Sequence, residues 1–230
     1  MELKPNQGKK IGIEINGELY ERWPIRTRVI ITGDDLAGVI KEYAAPYWQA
    51  GDLVFLSEKI VAISQGRAYP IKDIKPSKLA NFLVKYVHKS AYGIGLGSPW
   101  TMELAIREAG AWRILLAAAI AALTKPLGIK GLFYRVAGKN INAIDGPCSY
   151  TLPPYNEYAK LGPKNPDQAA RDLAKKGGNE IVIIDANDLG VAVLGKSSDK
   201  ISDEFCHKVF SDNPLGQTTE QTPICLVRKK

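Results

Sequence analysis

Ile181 to Ile184 form a run of four apolar, β-branched residues that passes directly into Asp185, Asn187, Asp188 and Gly190. A short run of this kind, bounded by turn formers, has the character of a buried strand, so the chain must build a sheet and cover it. The arrangement recurs upstream, where INAIDGPC carries Asp145 behind a short apolar stretch. Either these acids make turns, as Asp-Gly and Asn-x-x-Gly sequences do, or they hold something cationic at a sheet edge.

A chain of 230 residues can bury a sizeable core. The longest apolar run, Ile114 to Leu123, is flanked by Arg113 and Lys125 and falls short of the roughly 20 residues a membrane span requires. The N-terminal MELKPNQGKK lacks the apolar segment of a secretory signal, and no membrane partner is expected. Cys148, Cys206 and Cys225 are odd in number and without paired short spacing, which argues against a disulfide framework or a zinc knuckle and makes the cytoplasm the expected compartment. The net charge of +7 is dispersed rather than gathered into a Lys/Arg face interleaved with aromatics. It therefore fits small anions such as nucleoside phosphates, and no nucleic-acid partner is expected.

The pattern along the chain is α+β. Asn16-Gly17 between IGIEI and ELYERWPIRTRVII predicts an opening hairpin. Asp34-Asp35 starts a helix through LAGVIKEYA, DLVFLSEKIVA begins as a strand, and SKLANFLVKYV reads as a helix. SPWTMELAIREAGAWRILLAAAIAALT is long enough for two helices broken near Gly110. LFYRVAG and NINAIDG are expected to be adjacent strands, and NPDQAARDLAKK a helix with Asn165 as cap, Pro166 in the first turn and Gly177-Gly178 at its end. IVIID, GVAVLG and TPICLVRK read as strands and ISDEFCHKVF as a short helix. One bipartite unit over residues 1–230 is expected, with lobes at 1–92 and 93–230.

Nothing in the pattern brings His88 or His207 to a nucleophile, and adjacent Cys206 and His207 cannot easily face one metal from a helix. Carboxylates remain. If the strands before Asp145 and Asp185 share an end, both acids meet at one edge, and oxygen ligands suit Mg²⁺ or Mn²⁺ together with substrate phosphates. Two glycine patterns compete for the phosphate. GIGLG, from Gly93 to Gly97, precedes Ser98-Pro99 at a helix start, while Gly190, Gly195, Lys196 and Ser197 spell G-x-x-x-x-G-K-S, a P-loop in letters but with apolar VAVL inside it.

Several segments in order carry a resemblance. GDLVFLSEKIVAISQGR, AIDGPC, NPDQAARDL and IDANDLG correspond to the strand and EGR-type signature, the metal-binding GIDASN segment, the DPDASAR helix and the SDTFG segment of the coenzyme F-420-0:L-glutamate ligase family. The chain resembles that family from about Pro24 to Gly195. The resemblance implies a bipartite α+β fold with mixed sheets, a homodimer, and GTP with Mg²⁺ or Mn²⁺ used to join L-glutamate to an anionic acceptor through an amide.

Carried over by position, it implies metal ligands at Asp145 and Asp185, with Asp188 as a further candidate. Thr27, Arg28, Ser57, Glu58, Lys59, Cys148 and Asn187 would lie by the nucleotide; Lys196, which belongs to none of the resembling segments, could still touch phosphate without forming a P-loop. Lys59 and Arg67 would add fixed positive charge at the transferred phosphoryl group. Cys148 stands where the family has asparagine and Ala186 where it has threonine, and the segment from Ser98 to Gly138 is unlike the family's. Three readings follow: a GTP-dependent glutamate ligase acting on the deazaflavin coenzyme or a folate-like acceptor, a P-loop-type hydrolase, or a catalytically silent relative that binds a phosphorylated ligand.

Overall fold

The computed structural model of the protein describes residues 3–87, 94–129, 131–138, 140–187 and 190–230. Asp188, His88 and Gly93 lie outside them. In chain order the elements are β1 (Gly12–Ile15), β2 (Glu18–Ile25), α1 (Leu36–Tyr43), β3 (Leu53–Ser57), α2 (Glu58–Ser64), β4 (Ala68–Pro70), α3 (Lys78–Leu83), α4 (Pro99–Ala109) and α5 (Ala111–Thr124). They continue with α6 (Leu132–Ala137), β5 (Tyr158–Lys160), α7 (Pro166–Gly177), β6 (Glu180–Asn187), β7 (Gly190–Lys196), α8 (Asp203–Val209) and β8 (Ile224–Lys229). The fold is α+β with mixed β-pairing, as the sequence predicts. No helix among the described residues is long and apolar enough to cross a membrane.

The chain divides into two compact units, one made of residues 1–66 and 163–230 and the other of residues 67–162. The first holds a six-stranded sheet in the order β1-β2-β8-β3-β6-β7, in which β3 and β6 are parallel and the other pairs antiparallel. Asn16 and Gly17 both take positive φ, 54° and 82°, as the expected two-residue turn requires. One sheet face carries Phe55, Val182, Ile184, Cys225 and Val227, which pack on Cys206, Val209 and Phe210 at α8. Phe55 stacks on Phe210 with ring centroids 4.5 Å apart.

Arg22 is 1% exposed inside this unit. Its guanidinium donates to the carbonyls of Val209 at 3.0 Å and Lys10 at 2.7 Å, and pairs through two nitrogens with Asp212. Every strong donor of the buried cation is thus spoken for, which is what makes its burial tolerable. Burial pushes the Asp212 carboxyl up, but the Arg22 guanidinium more than offsets this and leaves it below the ordinary carboxylate range. A folded-state pKa lower than the unfolded one contributes stability above about pH 4, lost as pH falls through the folded value. Asp212→Asn is therefore expected to lower the urea midpoint at pH 6, and the loss is expected to shrink as the pH is lowered through the acid range; a loss that stays the same at every pH would show that the charge of the pair is not what stabilises the fold.

The second unit contains the two-stranded β4-β5 sheet and a helical core. Ile74, Leu96, Met102, Leu104, Ile114, Ala117, Ile141, Ile144 and Leu161 pack together in it. Gly110 breaks α4 from α5 as expected, with φ of 86°. Two expectations need correction here. LFYRVAG forms α6 rather than a strand, and Ile141–Ala143 is a single 3-10 turn, after which Asp145 makes an isolated antiparallel bridge with Lys160. Both stretches are apolar and short, and periodicity over six residues does not separate helix from strand.

Candidate active site

The strand registers align one edge of the six-stranded sheet. Ile25, Ile224, Leu56 and Ile183 are successive partners across β2, β8, β3 and β6, and Ser57 pairs with Ile184. Because β2, β3 and β6 run in the same direction, their C-terminal ends emerge together, which puts Thr27 and Arg28, then Ser57 to Lys59, then Asp185 to Asn187, along one border. Carboxyl ends of parallel strands, where chains depart into turns and helices, are a recurrent location for ligand sites in α/β sheets.

Local sequence explains how each side chain arrives there. Ser57 ends β3 and caps α2, its hydroxyl accepting from the Lys59 amide at 3.3 Å. Glu58 follows at the start of α2 and is only 4% exposed. Thr27 is also buried, tied by its amide to the Gln221 carbonyl at 3.1 Å and by its hydroxyl to the Arg28 carbonyl at 2.7 Å. The Arg28 guanidinium grips Asp34 through two bonds of 2.6 and 2.8 Å, and that hydrogen-bonded cation holds the Asp34 carboxyl below its ordinary range.

Asp185 sits within β6, opposite Ala192, two residues past a bulge in which Leu194 is the extra residue on β7. Its carboxylate is half-buried and has no hydrogen-bond or ion-pair partner among the described residues. Lys59 likewise has no ion-pair partner among them. A carboxylate half-removed from water without a protein partner is an arrangement that an added cation or donor would complete. Among the described residues no group of three or more His, Cys, Asp or Glu could hold a metal by itself. A site that offers one or two carboxylate oxygens suits Mg²⁺ or Mn²⁺ bound jointly with phosphate, rather than a metal caged by protein. Asn187, by contrast, uses its side-chain oxygen to accept from the Gly190 amide at 3.2 Å and so shapes the β6-β7 turn.

The profile of one protein family, F420-0:Gamma-glutamyl ligase, matches residues 24–188. The chain belongs to this family. No curated protein matches it closely enough to serve as a relative. Membership makes gamma-glutamyl ligation the class of chemistry, with a nucleotide and glutamate as the substrates the family implies. The matched segment of this ligase-family chain spans both acids and the whole border from Thr27 to Asn187.

The remaining residues singled out in this ligase-family sequence belong to other elements. Asp145 and Cys148 belong to the second unit. The Asp145 carboxylate accepts from the Gly146 amide at 2.8 Å, and its backbone pairs with Lys160, whose buried ammonium donates to the Ala143 carbonyl at 3.0 Å. A Cβ on Gly146 would lie 2.9 Å from Ile94, so the glycine-rich segment packs directly on the Asp145 turn. Buried Cys148 hydrogen-bonds Tyr150, which, with burial and the nearby Asp145 charge, pushes the phenol up to about 12. Arg67 donates to the Gly162 carbonyl at 2.6 Å and pairs with Glu108 at 2.7 Å, so its charge is balanced within the second unit.

The P-loop letters do not form a P-loop. Gly190–Lys196 is β7, hydrogen-bonded along β6, and strand replaces the phosphate-cradling loop that the motif requires. Lys196 donates to the Ile201 carbonyl at 2.7 Å and pairs with Asp203 at 2.6 Å, a hydrogen-bonded partner that raises its pKa. Sequence reasoning missed Lys160, Tyr150 and the Gln221–Pro223 segment. The last of these closes the β3 border through the Ser57 amide and the Pro223 carbonyl at 2.8 Å. Lys160 and the Gln221–Pro223 segment act through partners distant in sequence, while the partners of Tyr150, which are Cys148 and Asp145, are near in sequence but form no motif.

Proposed function

We propose that the protein is a GTP-dependent gamma-glutamyl ligase that uses Mg²⁺ or Mn²⁺ to join the amine of L-glutamate to an acceptor carboxylate of the coenzyme F-420-0 type. The observation that carries this reading is the half-buried Asp185 carboxylate beside the Ser57-Glu58-Lys59 turn, at the C-terminal ends of parallel strands in a chain of this family. Asp185 would hold the metal, with Asp188 as a further oxygen donor; bound there, the ion would neutralise charge on the nucleotide phosphates.

A carboxylate and an amine do not condense at neutral pH, so the acid is first activated. An acceptor oxygen attacks the γ-phosphorus of GTP, and GDP departs with the bonding pair. The glutamate amine then attacks the acyl carbon, phosphate leaves, and the amine proton passes to solvent. Lys59 supplies fixed positive charge for the first step, and the Ser57 hydroxyl donates to a phosphate oxygen. Thr27 and Arg28 shape the nucleotide side of the border, with Arg28 held in place by Asp34. Asp145 is an oxygen donor of the second unit whose contribution is read separately through Asp145→Asn. The protein would work as a homodimer in the cytoplasm.

Incubation with GTP, Mn²⁺, L-glutamate and F420-0 is expected to give GDP, phosphate and an acceptor heavier by one glutamyl residue, with Lys59→Ala slower by roughly a hundredfold. GDP formation that ignores both glutamate and acceptor would contradict the ligase assignment.

A further inference from the structure

Helix α5, AWRILLAAAIAALT, is apolar on nearly every side. Ile114 and Ala117 face inward and join the core of the second unit, which accounts for only one side of it. On the other side Trp112 is 82% exposed, Leu116 53% and Leu123 74%, and Leu127 in the turn that follows is 75% exposed. These positions recur at helical spacing, so they form a continuous stripe rather than scattered surface hydrophobes. Water is a poor environment for such a stripe, and the outer half of a globular helix ordinarily carries polar residues.

Charge indicates what covers it. From Ala109 to Ile144 the sequence has five basic residues and no acidic one. Of these, Arg113 on α5, Lys125 directly after it and Arg135 on α6 are exposed, Arg113 Nε donating to the Val136 carbonyl at 2.8 Å, so the exposed charge on these helices and the turn between them is cationic. A second copy of the same face would bring like charges together, whereas an anionic surface complements them. Fourteen residues of helix reach only about 21 Å, less than the roughly 30 Å of a bilayer core, so the helix can lie in an interface but not span it.

We propose that the outer face of α5 docks the protein on an anionic lipid surface, the apolar stripe entering the acyl boundary and the flanking cations meeting headgroup phosphates. This surface uses none of the residues assigned to ligation and does not depend on that reading.

The test is co-sedimentation of the full chain with phosphatidylcholine vesicles with and without phosphatidylglycerol, at about 0.05 M and about 0.5 M salt. Binding is expected only with the anionic lipid. Leu116→Ser/Leu123→Ser, which leaves net charge unchanged, and Lys125→Glu are each expected to lower partitioning by roughly tenfold or more. No sedimentation with anionic vesicles would overturn the proposal, as would sedimentation that the Leu→Ser pair leaves untouched, which would be adsorption through bulk charge. A dimer in solution that the same pair dissociates, without vesicle binding by the parent chain, would assign the face to a second copy instead.

Discussion

Asp185→Asn is expected to lower metal-dependent GTP turnover by at least about a hundredfold while leaving thermal unfolding unchanged. Both halves of this expectation come from the same geometry. The substitution keeps the shape of the side chain and removes its charge. Since no described residue hydrogen-bonds or pairs with the carboxylate, the substitution breaks no hydrogen bond or ion pair among the described residues. A loss of stability should stay within about 0.5 kcal/mol, as for a substitution away from any packed or paired feature. On the proposed reading, what is lost is the negative charge that Asp185 would offer to a bound cation. Single-turnover assays run beside differential scanning calorimetry read both quantities. Unaltered turnover would return Asp185 to the rank of a turn-associated acid.

The second large effect concerns Gly195. A Cβ built there would lie 2.3 Å from the Pro166 carbonyl carbon, 2.5 Å from its oxygen and 2.6 Å from the Asp167 amide. All three are backbone atoms at the start of α7, so no side-chain rotation relieves the overlap, and helix or strand must shift. Gly195→Ala is expected to cost about 3 kcal/mol in urea unfolding, the upper part of the range for overpacking a close contact. Lys196→Ala should instead act on the Asp203 pair and the Ile201 carbonyl and spare nucleotide turnover. If Gly195→Ala folded normally while Lys196→Ala abolished turnover, the phosphate-loop reading of these letters would have to be restored.

Gly195 and the Asn16-Gly17 turn differ in how far their neighbours in sequence explain them. Asn16-Gly17, the Ser98 cap, the break at Gly110 and the strand character of Ile181–Ile184 are local signals, and each element stands where its residues place it. The α+β class follows from them. Gly195 looks like part of a motif until its neighbour is known, because the reason for a glycine there is an α7 backbone nearly thirty residues away. Asn165 is similar: it precedes α7 in a left-handed conformation but its side chain makes no capping bond, so its role is conformational. The chain also closes on itself through β2-β8 and β3-β8, pairings between its beginning and its end that no short pattern encodes.

The border residues were visible one by one, as the acid after IVII and the Ser-Glu-Lys after LVFL. Their common edge was not, because it depends on β3 pairing in parallel with β6 across more than a hundred residues. Asp145 looked equivalent to Asp185 because both follow apolar residues. In the fold one leaves a 3-10 turn and the other lies within a strand, in separate units, and only the register reveals that difference.

The central claim is that the border carrying Asp185, Ser57 and Lys59 binds a metal–nucleotide complex. Calorimetric titration of GTP into the protein with Mn²⁺ present, repeated without metal and with Asp185→Asn, tests it most directly. The account predicts saturable binding that requires the metal and is lost in the variant. Binding of equal affinity in all three titrations would contradict it.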